Sequence, residues 1–322
     1  KSKNNIKYKY FGCLKTKVSN KQNYIMSSGV VRNSSINDTK VKEGFGKLIF
    51  NDNSIFKCNF NDNKACGIGH YIDNKNNEEF IGIYKNNLPN GYGIYKNLSA
   101  ERKCVGIFGT KGMNGIGIEE SIEDGYTYFG EFDNSQKHGN GVLQWKDGIR
   151  YEGQFIRNQM SGYAIIKYSK NKVYKGQVNN GKMEGFGEFN WNTGKKYIGF
   201  YKNDKRNGFG IYIWNIPELK EGDFLIDLKD INGYIGFWAE GNMNGVGLRI
   251  SGEKIKHGVW KNGAKMEWIE GEEHILKHMD SNQKKYLKIM RENKQNILKL
   301  LSLCAINDDD ANMDEEVEYI VN

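Results

Sequence analysis

Nine times in this chain a glycine is followed two residues later by a second small residue. The pairs are Gly44/Gly46, Gly67/Gly69, Gly91/Gly93, Gly115/Gly117, Gly139/Gly141, Gly162/Ala164, Gly185/Gly187, Gly208/Gly210 and Gly245/Gly247. Their first members are separated by 23, 24, 24, 24, 23, 23, 23 and 37 residues. A near-constant period in the range of about 20–50 residues is the mark of stacked repeats, each one supersecondary unit that buries its apolar face only against its neighbours. The period therefore overrides the two globular domains that 322 residues would otherwise suggest.

A second pattern precedes each glycine pair. It reads aromatic-x-Gly-x-aromatic in Phe80–Tyr84, Tyr128–Phe132, Tyr151–Phe155, Tyr197–Tyr201 and Tyr234–Trp238. Gly82, Gly106, Gly130, Gly153, Gly176, Gly199 and Gly236 each stand nine residues before a first pair glycine. Both halves alternate with period two, which is strand geometry. Tyr151, Gly153 and Phe155 are expected on one face; so are Gly139, Gly141, Leu143 and Trp145. Glycine weakens a strand interior unless something occupies its gap, so rings lying over neighbouring glycines are the expected packing rule. Asn180-Gly181, Asp147-Gly148 and Asn262-Gly263 are hairpin-turn dipeptides. Each repeat is predicted to be a β-hairpin.

These residues resemble the MORN repeat family, with its aromatic-x-Gly-x-aromatic strand, short turn, Gly-x-Gly and second aromatic strand. The resemblance runs roughly from Gly44 to Trp268. It implies an all-β fold, an elongated, twisted antiparallel sheet of stacked β-hairpins over 44–268; the periodicity beyond it adds a C-terminal α-helix. Departures are local. Cys58 replaces a first-strand glycine, Val178 an aromatic and Ala164 a second glycine, while the longer spacing before Gly236 predicts an extended hairpin tip at about 217–231. Residues 1–43 hold ten Lys or Arg and one acid up to Lys42. Two readings of that basic segment stay open, degenerate repeats around Tyr10-Phe-Gly12-Cys-Leu14 or a solvated tail. At the other end 307–322 carries seven acids and no base, and 306–322 is read as an acidic tail.

Residues 269–305 are read as an amphipathic helix. Ile275, Tyr286 and Ile297 recur every eleven residues, as do Met279, Met290 and Leu301, and eleven residues make three helical turns. The stripe either folds back on the last repeats or docks a partner.

Conventional chemistry is not expected. Gly-x-Gly here lacks the third glycine of a dinucleotide fingerprint and the Gly-Lys-Ser/Thr of a P-loop, so no cofactor is expected. No catalytic triad or paired carboxylates stand out. His274 and His278 lie four apart on the predicted helix, but with no third ligand in view no metal is expected. Five scattered cysteines without a C-x-x-C pair argue for a reducing compartment. No apolar run reaches the roughly 18 residues of a membrane span. The net charge of +8 is not clustered within the repeats, which argues against nucleic acid.

Three functions follow as expectations. The first is a non-enzymatic scaffold, cytoplasmic and cytoskeleton-associated, in a ciliary axoneme (the resemblance extends to radial spoke head proteins) in preference to a cell cortex. Its partners are other proteins of a large assembly, another MORN protein or a copy of itself. Trp191, Trp214 and Trp238, with Ile275, Met279, Tyr286, Met290, Ile297 and Leu301, are the candidate contacts. The second is a membrane-apposition module whose Lys7, Lys9, Lys15 and Lys17 meet anionic lipid. The third is a regulatory segment of a larger enzyme.

Overall fold

The computed structural model describes residues 8–17, 24–32, 40–215, 232–252, 254–281 and 283–284. The expected hairpin tip at 217–231, the helix beyond Lys284 and the acidic tail lie outside them. The described residues form strands throughout, with one short helix at the end, and contacts divide the chain into units Lys1–Gly162 and Tyr163–Asn322. The first unit holds β1 (Tyr8–Lys17), β2 (Tyr24–Arg32), β3 (Lys40–Phe50), β4 (Ile55–Asn61), β5 (Lys64–Asp73), β6 (Glu78–Lys85), β7 (Leu88–Asn97), β8 (Arg102–Gly109), β9 (Gly112–Ser121), β10 (Tyr126–Asp133), β11 (Gln136–Trp145) and β12 (Arg150–Ile156). β13 (Gln159–Tyr168) straddles the division. The second unit holds β14 (Lys172–Asn179), β15 (Lys182–Asn190), β16 (Lys196–Lys202), β17 (Lys205–Asn215), β18 (Asn232–Ala239), β19 (Asn242–Ser251), β20 (Lys254–Lys261), β21 (Ala264–Ile269) and α1 (Glu272–Lys277).

Within each unit consecutive strands pair antiparallel, with one exception. β1 pairs with both β2 and β3, so β2 lies outside β1. Gly12 faces Gly46 across that pair. β1 is thus the aromatic first strand of the Gly44/Gly46 repeat, and β2 is an insertion between its two halves.

The second pair glycines form a row that crosses the strands. Gly82 pairs with Gly69 and Gly93, Gly130 with Gly117 and Gly141, and Gly199 with Gly187 and Gly210. The first aromatic of a repeat folds over this row. A Cβ added to Gly187 would lie 2.6 Å from the Tyr174 ring. Tyr10, Tyr128, Tyr151, Tyr174, Tyr197 and Tyr234 are fully buried in this way. The second aromatic wedges between successive tyrosines. Phe155 meets the edges of Tyr128 and Tyr151 at 5.0 and 5.1 Å, and Trp238 those of Tyr197 and Tyr234 at 5.4 Å each. Each such edge-to-face contact contributes roughly 0.5–1.5 kcal/mol beyond area burial. Among the described residues, this zipper of rings forms the core along the sheet.

The first pair glycine behaves differently from the period-two expectation. Gly139 and Gly185 have φ of 59° and 75°, in the left-handed region, and the ladder slips beside each, between Gly130 and Phe132 and between Gly176 and Val178. Each is a β-bulge, so Gly139 and Gly141 do not share a face by simple alternation. The slip leaves one carbonyl of the first strand without its ladder partner, and the folded tyrosine supplies the missing donor. Tyr128 Oη donates to the Glu131 carbonyl at 2.9 Å, Tyr151 to Gln154 at 2.7 Å, Tyr174 to Gln177 at 2.7 Å and Tyr234 to Phe237 at 3.2 Å. Burial pushes the Tyr151 phenol up to about 12, so it remains a donor. Tyr174→Phe keeps the ring and strands the carbonyl; we expect a loss of about 1–2 kcal/mol in urea denaturation. Unchanged stability would mean that the carbonyl finds another donor.

Most turns inside repeats are two-residue turns with both φ positive; the β8–β9 turn at Thr110-Lys111 is an exception. Asn180-Gly181 and Asn262-Gly263 follow expectation, but Asn86-Asn87, Asn134-Ser135, Arg157-Asn158 and Asn203-Asp204 do the same without glycine. Their second residues clasp the repeat before. Asn87 N–H donates to the Ala65 carbonyl at 3.1 Å while its Oδ1 accepts from Ala65 N–H at 2.7 Å. Ser135 holds Met113 the same way, and Asp204 holds Met183. The side chain thus acts as a second backbone carbonyl and locks one hairpin tip to the next.

Candidate interaction surface

The ring face is closed, so recognition falls to the opposite face. There the middle residue of each Gly-x-Gly points outward, followed across the ladder by the residue after each first-strand glycine. Ile68 faces Ile83 and Tyr92 faces Ile107 in this way, whereas Ile116 faces Glu131; Ile118, just past its glycine pair, faces Val105 and Phe129. Ile68, Tyr92, Ile116 and Phe129 are 74%, 69%, 63% and 53% exposed. A run of large apolar side chains at this exposure makes the outer face of β5–β10 the candidate contact surface.

Paired charges of both signs border the run. Glu79 takes His70 Nε2 at 2.6 Å and Lys96 Nζ at 2.8 Å, and Lys103 meets Glu120 at 3.3 Å. The Lys96 ammonium, with His70, holds the Glu79 carboxyl below its ordinary range. An apolar strip with a mixed-charge rim has the anatomy of a protein interface.

The second unit shows what fits such a strip. Phe209 and Val246 are the Gly-x-Gly middle residues of its last repeats, and Phe237 and Val259 follow the first-strand glycines. They pack with Ile269 and with Ile275 and Met279 of the terminal segment in one buried cluster. α1 begins after Gly271, carries Glu272 and Glu273 in its first turn and His274 and Lys277 in its last, all favourable to the helix dipole. Six residues do not hold a helix alone, so the burial of Ile275 and Met279 sustains it. The chain itself lays this short helix, through Ile275, and the segment just after it, through Met279, over positions equivalent to those exposed on β5–β10.

The tryptophans singled out by sequence stand on the ring side. Trp238 is 5% exposed between Tyr197 and Tyr234, with the Arg206 guanidinium 4.2 Å above it, and it presents no surface to a partner. Trp191 is half-buried and packs on Phe189 and Tyr212 at 4.4 and 5.7 Å. Trp214, also half-buried, packs on Tyr212 at 5.1 Å beneath the Arg249 guanidinium at 4.0 Å. Tyr286, Met290, Ile297, Leu301 and Lys7 lie outside the described residues. Lys9 is exposed on β1; Lys15 and Lys17 occupy β1 positions opposite Met26 and Tyr24. The exposed apolar run was missed, although its signal was present: the variable residue between each pair of glycines.

One repeat breaks the ring zipper. Cys104 takes the place of the first aromatic on β8, and Met113 fills the gap over Gly106 and Gly117. On the same face Glu119 is buried. Its carboxylate accepts from Lys137 Nζ and Tyr126 Oη at 2.5 Å each and from Arg102. Burial alone would raise this carboxyl, but bonds from Lys137, Tyr126 and Arg102 outweigh it and hold the group below its ordinary value. Burial and the Glu119 charge push the Cys104 thiol up to about 11. A protonated, buried thiol beside a fully paired carboxylate is a structural arrangement, not a nucleophile.

The MORN repeat family model matches residues 80–96, 128–150, 151–173, 174–196, 197–216 and 234–252. These six segments of the chain therefore match MORN repeats, which suggest a protein-interaction or membrane-association module. The unmatched stretch between the first two segments is the one that holds Cys104 and Glu119. No curated protein matches the chain. Among solved structures, the TCP10c domain of Drosophila melanogaster Sas-4 is similar at 12% identity and a TM-score of 0.29, over 49% of this chain and 93% of that one. The SAS-4 TCP domain of the same organism, in complex with a proline-rich motif of Ana2, is similar at 12% identity and a TM-score of 0.23, over 56% of this chain and 88% of that one. At these values neither bears on what this chain binds. No helix among the described residues is long and apolar enough to cross a membrane.

Proposed function

We propose that this chain is a non-enzymatic scaffold whose β5–β10 outer face receives an amphipathic helix of a partner protein. The observation that carries the reading is the occupancy of equivalent positions by α1. The setting we propose, a cytoskeletal assembly of the ciliary axoneme or the cell cortex, rests on the resemblance of the repeat sequence to scaffold proteins of that kind. The mixed-charge rim favours protein over anionic lipid, which would select a basic rim.

The test is a Tyr92→Glu, Ile116→Glu double variant expressed in the native cell. Both side chains point outward, so stability is expected to fall by no more than about 1 kcal/mol, chiefly because the new carboxylate at position 116 stands opposite Glu131. Wild type is expected in the detergent-insoluble pellet and cross-linked through β5–β10, with the variant released and its partner affinity down at least about tenfold, or 1.4 kcal/mol. Retention of the variant would sink the reading. Release of wild type with the membrane lipids, with sedimentation on anionic liposomes, would instead support lipid binding.

A further inference from the structure

The strand-to-helix corner that ends the second unit gathers three side chains able to ligate a metal. Glu267 stands on β21, and His274 and His278 on and just beyond α1. One donor atom from each lies within 4.8 Å of the others. The sequence displays only the histidine pair; Glu267 joins it because the chain reverses at Gly271, where φ is 81°.

The hydrogen bonds fix which imidazole nitrogen is free. His278 Nδ1 is 2.9 Å from the His274 carbonyl oxygen. A carbonyl only accepts, so Nδ1 carries the hydrogen and donates it. In the neutral ring Nε2 then holds a lone pair, and it faces Glu267 Oε1 at 3.1 Å. Two acceptors at that distance repel each other unless a cation joins them, which is either a second proton or a metal ion. A backbone carbonyl orienting the far nitrogen is the support that metal-binding histidines use. The His274 ring lies 5.0 Å from that of His278, tilted by 46°, and one of its nitrogens lies within 4.8 Å of the other two donor atoms.

We infer that Glu267, His274 and His278 bind a divalent transition metal of zinc's class, which clamps α1 to β21. Two imidazoles and one carboxylate suit zinc rather than magnesium or calcium, which take oxygen ligands. Tetrahedral zinc, with bonds of about 2.0–2.2 Å, sets its ligand atoms roughly 3.3 Å apart, close to the Glu267–His278 separation. The corner is open enough for entry, with Glu267 and His278 side chains 48% and 28% exposed. Three protein ligands leave the fourth position to water. The clamp acts on the residues that hold Ile275 and Met279 over the last repeats, so metal controls how firmly that face is covered.

The experiment titrates the full chain with zinc by calorimetry and with cobalt(II) by visible absorption. One equivalent is expected, with cobalt d–d bands and no thiolate charge-transfer band, which separates this site from the chain's five cysteines, of which Cys13, Cys58, Cys66 and Cys104 are free among the described residues. His278→Ala and Glu267→Gln should each weaken binding by about 100-fold or more, beyond the roughly 10–100-fold lost with a supporting group alone. Zinc should slow amide exchange over 272–279 at least tenfold in wild type and leave Glu267→Gln unchanged. Glu267 is solvent-facing, so its glutamine variant keeps the fold even if a histidine variant does not. Absence of binding, a thiolate spectrum, or undiminished binding in Glu267→Gln would overturn the site and leave a proton as the bridge.

Discussion

A Gly210→Val chain is expected to lose about 3 kcal/mol or more of stability in urea denaturation, and to lose amide protection first over β16–β18. A Cβ at Gly210 would lie 2.6 Å from two ring carbons of Tyr197 and closer still to its hydroxyl. The ring has nowhere to retreat. It is wedged against Tyr201 at 5.2 Å and Trp238 at 5.4 Å, and its hydroxyl donates to the Phe200 carbonyl at 3.1 Å. Overpacking costs about 1–3 kcal/mol, and displacing the ring also breaks the hydrogen bond, worth about 1 kcal/mol with a buried acceptor left behind. The mechanism predicts non-additivity. Tyr197→Ala alone should cost about 3–5 kcal/mol, yet Gly210→Val combined with Tyr197→Ala should cost clearly less than the sum. Additive losses would show that the ring is not what excludes the side chain. Because stacked repeats unfold as neighbours rather than as one domain, local exchange rates are a better reading than a single midpoint.

The same ring-on-glycine rule explains why so much of the fold was legible. A ring that needs gaps on its own strand and on the next leaves its partners in the sequence at fixed spacing, so the hairpin, the period and the nine-residue step could be read directly. The bulge could not. Its glycine breaks the period-two parity, and only the φ of Gly139 and Gly185 shows it. Turns such as Asn86-Asn87 and Arg157-Asn158 were equally hidden, because asparagine supports the left-handed conformation without the glycine that a hairpin search looks for. The tryptophans drew attention as large aromatics, yet size fits them to the zipper. The outward Ile68, Tyr92 and Ile116 look unremarkable singly and become a surface only when register sets them side by side. His274 and His278 were visible as a helical pair, whereas Glu267 needed the geometry of the corner.

Register also made Glu119 visible, and its removal carries the other large effect. Glu119→Ala is expected to destabilise the first unit by about 3–5 kcal/mol, because Lys137, with only a tenth of its side chain exposed, loses its counter-ion while staying buried. Arg102 is 41% exposed along its side chain and can turn to water, so Lys137 sets the size of the loss. Replacing both partners, Glu119→Leu with Lys137→Met, should return stability to within about 1 kcal/mol of wild type or above it, since well-packed apolar residues substitute for a buried ion pair without a desolvation cost. The pH dependence has a definite sign. The folded-state carboxyl of Glu119 lies below its ordinary value, so the unfolded chain binds its proton first as pH falls. Its contribution is complete above the unfolded value of about 4.3 and is lost as pH drops through the folded value below that. Other carboxylates titrate in the same range, so the quantity to measure is the difference between wild type and Glu119→Gln. That difference should be constant from neutral pH down to the ordinary carboxylate range and shrink below it. A difference that grows with acid would show that burial, and not Lys137 with Tyr126 and Arg102, governs the group.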